Sequence, residues 1–359
     1  MRLSRPPFAA LLCTCLIAGA AGGPARAGEP ELISVTRIWD HAPHNAFTDL
    51  IRWRDKWYCT FREADGHVGG DGKLRVLESA DGQAWKSVAL IEEEGIDLRD
   101  PKLSITPDDR LMIVAGGSVY RGGKTLLGRQ PRVTFSKDGR EWTPPRRVLS
   151  EGEWLWRVTW HEGRAYGVSY NAAARQTREA QEAAKSTGPV SSEPADWKLK
   201  LVVSTDGINY DLITHLGVPG HPNETTLRFL PGGEMMAMVR REGGNTFGWI
   251  GTSKPPYKEW KWHETTHRFG GPNFICLPDG SLWAVSRSYP SPGRKGEGGG
   301  TKTVLARLTR DSYEPVLTFP SGGDTSYAGL VWHEGLLWVS YYSSHEKKAS
   351  IYLAKVRFR

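Results

Sequence analysis

One short pattern occurs three times in this chain: serine, any residue, aspartate, glycine, two further residues and an aromatic. The copies occupy residues 79–85, 136–142 and 204–210. Asp-Gly supplies the positive φ of a tight hairpin turn, and the serine and aspartate side chains can bond the nearby backbone. The copies are spaced by 57 residues (79 to 136) and 68 residues (136 to 204). Spacing of this kind indicates an array of repeated β units.

A second repeat marks the start of each unit, where an apolar strand runs into a tight turn before another apolar strand. Six such units are present. The first strands are residues 50–53, 102–105, 157–160, 226–230, 274–277 and 329–332. A four-stranded propeller blade takes about 40–50 residues, and long loops add to that length. The sequence therefore predicts an all-β, six-bladed β-propeller built from four-stranded antiparallel blades.

Two segments at the ends of the repeat array are predicted to complete the ring. The sixth unit is one strand short, and residues 31–39 form a lone N-terminal strand. We expect this strand to pair with residues 351–356, because that pairing would close blade six and cover an exposed edge. An Ala-, Gln- and Glu-rich stretch followed by a Pro/Ser-rich stretch, about 171–196, interrupts unit three and is interpreted as a surface insertion.

Residues 1–27 have the features of a signal peptide. Arg2 and Arg5 precede an apolar run at residues 8–21, and Ala-Arg-Ala at 25–27 is a small-residue cleavage pattern. The apolar run is too short to span a membrane, which takes about 20 residues. The sequence predicts a secreted or periplasmic protein whose single domain covers residues 28–359, without a membrane partner and monomeric.

The remaining composition excludes several classes of function. Lysine and arginine do not cluster into a nucleic-acid-binding run. Cys59 and Cys276 lie in apolar runs and are predicted to be free thiols, with no metal-type spacing. The His-Glu-x-x-His string at 263–267 alternates with tryptophans in a strand-like context, whereas a zinc protease needs a helix there. No cofactor and no metal are expected.

The polar residues that begin the inner strands are the best candidates for a functional site. In a propeller these positions line one mouth of the central channel. The mouth predicted here is rich in carboxylates and arginines. The positions are Thr48, Asp49, Arg99, Asp100, Trp156, Arg157, Asn223, Glu224, Pro272, Asn273, Ser326 and Tyr327.

Three of these segments resemble sialidases, which are six-bladed propeller glycoside hydrolases. Asn-Glu-Thr-Thr-Leu at 223–227, followed by Met-Val-Arg at 238–240, is similar to a sialidase segment in which a glutamate precedes an arginine-bearing strand. Thr-Ser-Tyr-Ala-Gly-Leu at 325–330 resembles the segment of the tyrosine nucleophile, and Arg-Asp-Pro-Lys-Leu at 99–103 resembles a pocket segment of blade two. The three repeated turns resemble the Asp-box. Together the similarities span residues 31–359.

The resemblance implies a retaining mechanism with a tyrosine nucleophile. Tyr327 would attack the sugar, and Glu224 would accept the phenol proton, because a phenol with a pKa near 10 is a poor nucleophile without a base. A neutral nucleophile suits an anomeric carbon that already carries a carboxylate, and tyrosine is a known exception among retaining glycosidases. Asp65 or Asp71, in the loop after the second strand of blade one, would be the acid/base residue.

The same resemblance implies how an acidic sugar would be held. Arg240, helped by Arg287 or Arg62, would bind the acidic group in a bidentate manner. The other predicted substrate contacts, which begin inner strands, are Arg99, Asp100, Asp49, Arg157 and Asn273. Sialidases carry Arg-Ile-Pro at the start of blade one, and this chain has Ala46 at the arginine position. Weak activity on ordinary sialosides is therefore expected.

The leading hypothesis is a secreted exo-glycoside hydrolase that releases a terminal, acidic sugar from a glycan or oligosaccharide. Two alternatives remain open. A non-catalytic carbohydrate-binding propeller would use the same polar mouth without turnover. A polysaccharide lyase on the same architecture would use a tyrosine or histidine to abstract a proton from a uronic acid.

Overall fold

The computed structural model describes residues 28–69, 72–122, 125–171, 197–290 and 300–359. Those residues form six four-stranded antiparallel sheets. Blade one contains β2 (His44–Trp53), β3 (Lys56–Ala64), β4 (Lys73–Ser79) and β5 (Lys86–Ile91). Blade two contains β6 (Asp97–Ile105), β7 (Leu111–Arg121), β8 (Thr125–Ser136) and β9 (Arg146–Arg147). Blade three contains β10 (Glu153–His161), β11 (Arg164–Asn171), β12 (Lys198–Ser204) and β13 (Asp211–Leu216).

The second half of the chain continues the same arrangement. Blade four contains β14 (Pro222–Phe229), β15 (Met235–Arg241), β16 (Phe247–Ser253) and β17 (Lys261–Arg268). Blade five contains β18 (Asn273–Cys276), β19 (Leu282–Ser288), β20 (Lys302–Leu308) and β21 (Tyr313–Thr318). Blade six contains β22 (Thr325–His333), β23 (Leu336–Ser343), β24 (Ser350–Phe358) and β1 (Pro30–Trp39). The first strands of successive blades contact one another around a ring, which confirms the predicted six-bladed propeller.

Blade six is closed by the N-terminal strand, as the sequence predicted. β1 pairs antiparallel with β24, in a register that runs from Pro30 opposite Phe358 to Trp39 opposite Ile351. An ion pair between Arg359 and Glu31, with nitrogen and oxygen 2.6 Å apart, lies at the end of the ladder. The pairing joins the two ends of the chain and covers the edge that β24 would otherwise expose.

Apolar side chains between the blades form the core. Large aromatic residues from neighbouring blades pack against one another there, as Trp57 of blade one does with Trp338 of blade six, whose tilted rings have centroids 4.3 Å apart. Burial of such rings is the main stabilising term for a fold of this kind. Cys59 is buried, Cys276 is half-buried, and both are free thiols, as expected.

The three Ser-x-Asp-Gly turns join the third and fourth strands of blades one, two and three, on the outside of the wheel. In the second turn, Ser136 Oγ accepts a hydrogen bond from the Gly139 amide at 2.8 Å. Asp138 Oδ1 accepts bonds from the next two amides at 2.8 and 2.9 Å. The other two turns repeat these bonds. Gly139 has a φ of 78° and lies against Tyr58 of blade one, so the turn locks one blade onto the next.

The inner strands share a second repeated feature, a β-bulge near the start of the strand. Within the described residues, β2, β6, β10, β14 and β22 each shift register at the same relative position, and β18 does not. A bulge bends the strand and re-aims the side chain of the extra residue. Phe47, Asp100 and Tyr327 occupy three of these bulges with positive φ angles of 65°, 52° and 54°. The bulges define the channel mouth.

Other predictions have mixed outcomes. The His-Glu-x-x-His string lies in strand β17, so it has no helix on which to bind zinc in the manner of a protease. The predicted signal peptide, nearly all of the 171–196 insertion, and Asp71 lie outside the described residues and stay predictions. Across the residues that the structure describes, no helix is long and apolar enough to cross a membrane.

Candidate active site

Tyr327 and Glu224 meet at the channel mouth. The Tyr327 hydroxyl donates a hydrogen bond to Oε1 of Glu224. Arg240 Nη1 donates to the same carboxylate oxygen at 2.7 Å and also lies 3.2 Å from the Tyr327 oxygen. The amide of Gly271 donates to the other oxygen, Oε2, at 2.8 Å. Blades four, five and six thus fix one tyrosine–glutamate–arginine cluster.

Burial and charge determine where the proton of this pair lies. Burial would raise the pKa of Glu224, but the charge and hydrogen bonds of Arg240, together with the Tyr327 hydroxyl, hold that pKa below its usual value. Burial raises the pKa of Tyr327 well above its usual value, and the negative charge of Glu224 raises it further. The free protein therefore keeps an ionised glutamate beside a neutral phenol.

Aromatic residues hold the Tyr327 ring in place. Phe47 and Trp156 lie on it with centroid distances of 5.0 and 5.2 Å. Lys102 Nζ lies 5.6 Å from the Tyr327 ring centroid and 4.8 Å from that of Trp156, and burial lowers the pKa of this lysine to about 8. The sequence analysis did not single out Lys102 or Phe47. The sequence feature that could have identified Lys102 is a lysine within the apolar run of an inner strand.

Two further predicted arginines line the mouth. Arg287 donates to the Tyr342 hydroxyl at 3.1 Å, and its guanidinium carbon lies 5.6 Å from the Tyr327 ring centroid. Arg99 donates to the Tyr120 hydroxyl at 3.2 Å. Its guanidinium carbon lies 5.2 Å from the centroid of the Phe47 ring. Arg240, Arg287 and Arg99 thus approach the aromatic cluster around Tyr327 from three different blades.

Asp100 is the buried carboxyl of blade two at the mouth. It is 9% exposed, and its Oδ1 atom has no hydrogen-bond partner among the described residues. Burial raises the pKa of Asp100, and the charge of Glu224 acts in the same direction, whereas Arg99 and Lys102 oppose it. A carboxyl in such surroundings favours its protonated form more than an exposed one does.

Four predicted contacts lie in closed surroundings within the first and second strands of their blades. Asp49 and Arg157 form an ion pair of 2.8 Å that is almost completely buried. Arg62 is fully buried and pairs with Asp97 at 2.7 Å. Asn273 is 1% exposed and donates to a blade-six carbonyl at 2.9 Å. These side chains join strands of different blades to one another, and each is already engaged by those contacts.

The predicted acid/base loop of blade one presents a different residue to the site. Asp65 is exposed, and Asp71 lies outside the described residues. His67 of the same loop reaches blade six, where its Nδ1 atom lies 2.7 Å from Oδ2 of Asp324. His44 Nε2 is 3.3 Å from that same oxygen. The sequence analysis did not identify this cluster, because its members are far apart along the chain.

Asp324 is held ionised by its neighbours. Burial would raise its pKa, but hydrogen bonds from the two histidines and the Tyr342 hydroxyl outweigh that effect and place the pKa far below its usual value. The cluster of His44, His67 and Asp324 can bind a cation, since it presents two imidazoles and one carboxylate within 4.8 Å of one another.

Comparison with known proteins gives similarity of fold. No protein-family model and no curated protein matches this sequence. A Dyadobacter fermentans protein of unknown function has a TM-score of 0.74 and 18% identity, over 92% of this chain and 99% of that one. The α-L-arabinofuranosidase of Fusarium graminearum has a TM-score of 0.64 and 15% identity, over 91% and 98%. Trypanosoma rangeli sialidase has a TM-score of 0.64 and 11% identity, over 91% of this chain and 59% of the sialidase.

These neighbours establish architecture at low sequence identity. All three align along more than nine-tenths of this chain, and two carry the names of glycoside hydrolases. Identity below one-fifth leaves the substrate and the chemistry to be argued from the site itself. The chain is a six-bladed β-propeller whose structural neighbours include sialidases and arabinan-degrading glycosidases.

Proposed function

We propose that this protein is a retaining exo-glycoside hydrolase that removes a terminal acidic sugar from a glycan. The observation that carries the proposal is the hydrogen bond from Tyr327 to Glu224, with Arg240 donating to Glu224 and in reach of the tyrosine oxygen. A phenol paired with a buried carboxylate is an activated nucleophile, and its position at a channel mouth suits attack on a chain end.

The first step forms a bond between Tyr327 Oη and the anomeric carbon while the phenol proton passes to Glu224. In the free protein this transfer is unfavourable, because the pKa of Glu224 is lowered and that of Tyr327 is raised. Substrate binding changes the balance. When Arg240 engages the acidic group of the sugar, its hold on Glu224 weakens, and the glutamate becomes a stronger base.

Asp100 is the carboxyl that we assign as proton donor, in place of Asp65 or Asp71. Burial raises its pKa, which favours the protonated form that a general acid needs, and its Oδ1 atom has no hydrogen-bond partner among the described residues. Asp100 gives its proton to the leaving-group oxygen as the glycosidic bond breaks. It then takes a proton from water, whose oxygen attacks the anomeric carbon and releases Tyr327. Glu224 returns the proton to the phenolate.

The substrate preference follows from the arginines at the mouth. Arg240 and Arg287 lie beside Tyr327, Arg99 lies beside the Phe47 ring that packs on it, and the three can bind a carboxylate. Ala46, at the position of the first sialidase arginine, is fully buried, and Phe47 packs on Tyr327 beside it. An acidic sugar other than an ordinary sialoside fits this arrangement better. Export directed by the predicted signal peptide would place the protein outside the cytoplasm, where it would have access to polysaccharides.

The test is a screen of the purified protein against sialosides, other keto-acid sugars, uronic acids and arabinofuranosides, followed by variants. Tyr327→Phe and Glu224→Gln should each lower kcat at least about 1,000-fold, and the double variant should be little worse, because residues acting as a unit are non-additive. Tyr341→Phe is the matched control, since its hydroxyl bonds a backbone carbonyl away from the mouth. Retention of most activity by Tyr327→Phe would overturn the proposal. An unsaturated product would identify a lyase, and binding without product a carbohydrate-binding propeller.

A further inference from the structure

We propose that His44, His67 and Asp324 form a binding site for one divalent transition-metal ion of the zinc class at the rim of the channel mouth. Among the described residues, this is where three side chains of metal-ligand type bring their donor atoms together. The inference is independent of the proposed hydrolysis, because it rests on residues that take no part in the tyrosine–glutamate chemistry.

Two of the three donor-atom separations lie near the spacing that a shared ion requires, and all three are within 4.8 Å. Asp324 Oδ2 lies 2.7 Å from His67 Nδ1 and 3.3 Å from His44 Nε2. Zinc binds imidazole nitrogen and carboxylate oxygen at about 2.0–2.2 Å, which places neighbouring ligand atoms about 3.0–3.4 Å apart. The two distances lie close to this range, so small side-chain rotations would complete the site.

Neighbouring residues hold the ligands in this orientation. Asp324 uses its other oxygen, Oδ1, to accept a hydrogen bond from the Tyr342 hydroxyl at 2.6 Å, which leaves Oδ2 to face the histidines. The rings of His44 and His67 are nearly perpendicular, at 82°, and His67 rests edge-on against Phe47. Outer contacts that fix the orientation of a ligand are characteristic of metal sites.

The site is also accessible. The His67 side chain is 53% exposed and that of Asp324 is 29% exposed, whereas that of His44 is 12% exposed. An ion can therefore enter from solvent, and its remaining coordination positions would face the channel mouth. Two imidazoles and one carboxylate suit zinc and related ions better than calcium or magnesium, which prefer oxygen ligands.

The three ligands come together only when the ring closes, so no local sequence motif predicts this site. His44 begins β2, His67 follows β3, and Asp324 precedes β22, so the ligands come from blades one and six at opposite ends of the sequence. A bound ion would fasten the blade-one loop to blade six. It would also offer an open position to a water molecule or a sugar oxygen.

Zinc binding to the full-length mature protein tests the proposal. Protein stripped with a chelator should bind one Zn²⁺ per chain with a Kd of about 1 μM or tighter by calorimetry, and its Tm should rise when zinc is added. His67→Ala should weaken binding at least about 100-fold, and Asp324→Asn should have a similar effect. His333→Ala is the matched control, because this histidine also lies beside a carboxylate, 3.4 Å away, at the opposite end of β22.

Two results would overturn the site. The first is no measurable zinc binding by the wild-type protein, which would leave a hydrogen-bonded His–Asp–His cluster. The second is zinc binding that His67→Ala and Asp324→Asn leave unchanged, which would place the ion elsewhere. Tyr327→Phe should bind zinc normally whether or not the protein proves to be a hydrolase, so the failure of either proposal can be recognised separately.

Discussion

The outer turns and the inner bulges of this propeller repeat the same backbone feature and fill it with different residues. Both place a residue at positive φ once in each of several blades. The outer Ser-x-Asp-Gly turns use glycine, with φ angles of 69°, 78° and 75°. The inner bulges of blades one, two and six use Phe47, Asp100 and Tyr327. Glycine adopts this conformation freely, whereas other residues adopt it at a cost of about 1–3 kcal/mol.

The difference indicates that the outer turns serve the fold, whereas the inner bulges place side chains at the candidate site. At the rim of the wheel, the repeated turn serves only to lock blades together, so the residue that fits the backbone best is present. At the mouth, the strained position aims a large side chain into the channel, and the surrounding packing stabilises the strain. Residues in strained conformations concentrate at functional sites for this reason. Substitutions in the outer Ser-x-Asp-Gly turns should therefore alter stability, and substitutions at the inner bulges should alter the proposed activity.

The largest expected effect comes from removing the β1–β24 pairing that closes blade six. Deletion of residues 28–40 removes β1 and leaves β24 as an open edge, so the Tm should fall by about 10 °C or more. Thermal unfolding followed by circular dichroism measures this change. Deletion of residues 28–29 alone, which precede β1, is the control. A truncated protein that melts at the parental temperature would show that β1 does not hold the ring.

Asp100→Asn should have the next largest effect, a loss of activity without a loss of stability. With the proposed general acid removed, kcat/KM should fall about 100-fold. Stability should change in the opposite direction. Because burial raises the pKa of Asp100 in the fold, its contribution to stability is lost as the pH rises above about 4. The Tm difference between variant and wild type should therefore become more positive from pH 4 to pH 7. A variant with normal activity and a lower Tm would make Asp100 an architectural residue.

The smallest effect is expected at an outer turn. Gly139→Ala should lower the free energy of unfolding by about 2 kcal/mol, because it adds the cost of positive φ and places a Cβ 2.3 Å from the Tyr58 ring. Gly280→Ala is the matched control. Gly280 also has positive φ, at 82°, but a Cβ there would meet no atom within 4 Å, so about 1 kcal/mol is expected. Urea denaturation measures both. Equal losses of unfolding free energy in the two variants would show that the contact with Tyr58 does not contribute. Both variants should remain active at temperatures below their melting range.

Local patterns were sufficient to predict the fold. Turn chemistry and the apolar runs gave the number of blades, and the missing strand of unit six gave the partner of β1. The same register placed Tyr327 and Glu224 at the start of inner strands, and the structure brings those two side chains together. Strand register is a property of short segments, which is why a single sequence was sufficient for it.

Side-chain partners across blades could not be predicted in the same way. The sequence analysis ranked Arg62 and Asp49 with Arg240 as substrate contacts, yet the first two pair with buried ions of other blades. His67 and Asp324 are distant in the chain and come together only because the ring closes. Whether a charged residue faces solvent, substrate or another charge depends on the packing of segments far apart in sequence, and no local pattern records that packing.

The pairing of β1 with β24 also bears on how the protein folds. Arg359 and Glu31, which meet beside this ladder, are 328 residues apart in the chain. Contacts of such high sequence separation carry a large loop-closure entropy and form late and slowly. Tyr327 lies on blade six, so the proposed catalytic cluster depends on the same closing event. Recovery of the proposed activity during refolding should therefore lag behind the recovery of β structure, so that activity would serve as a measure of ring closure.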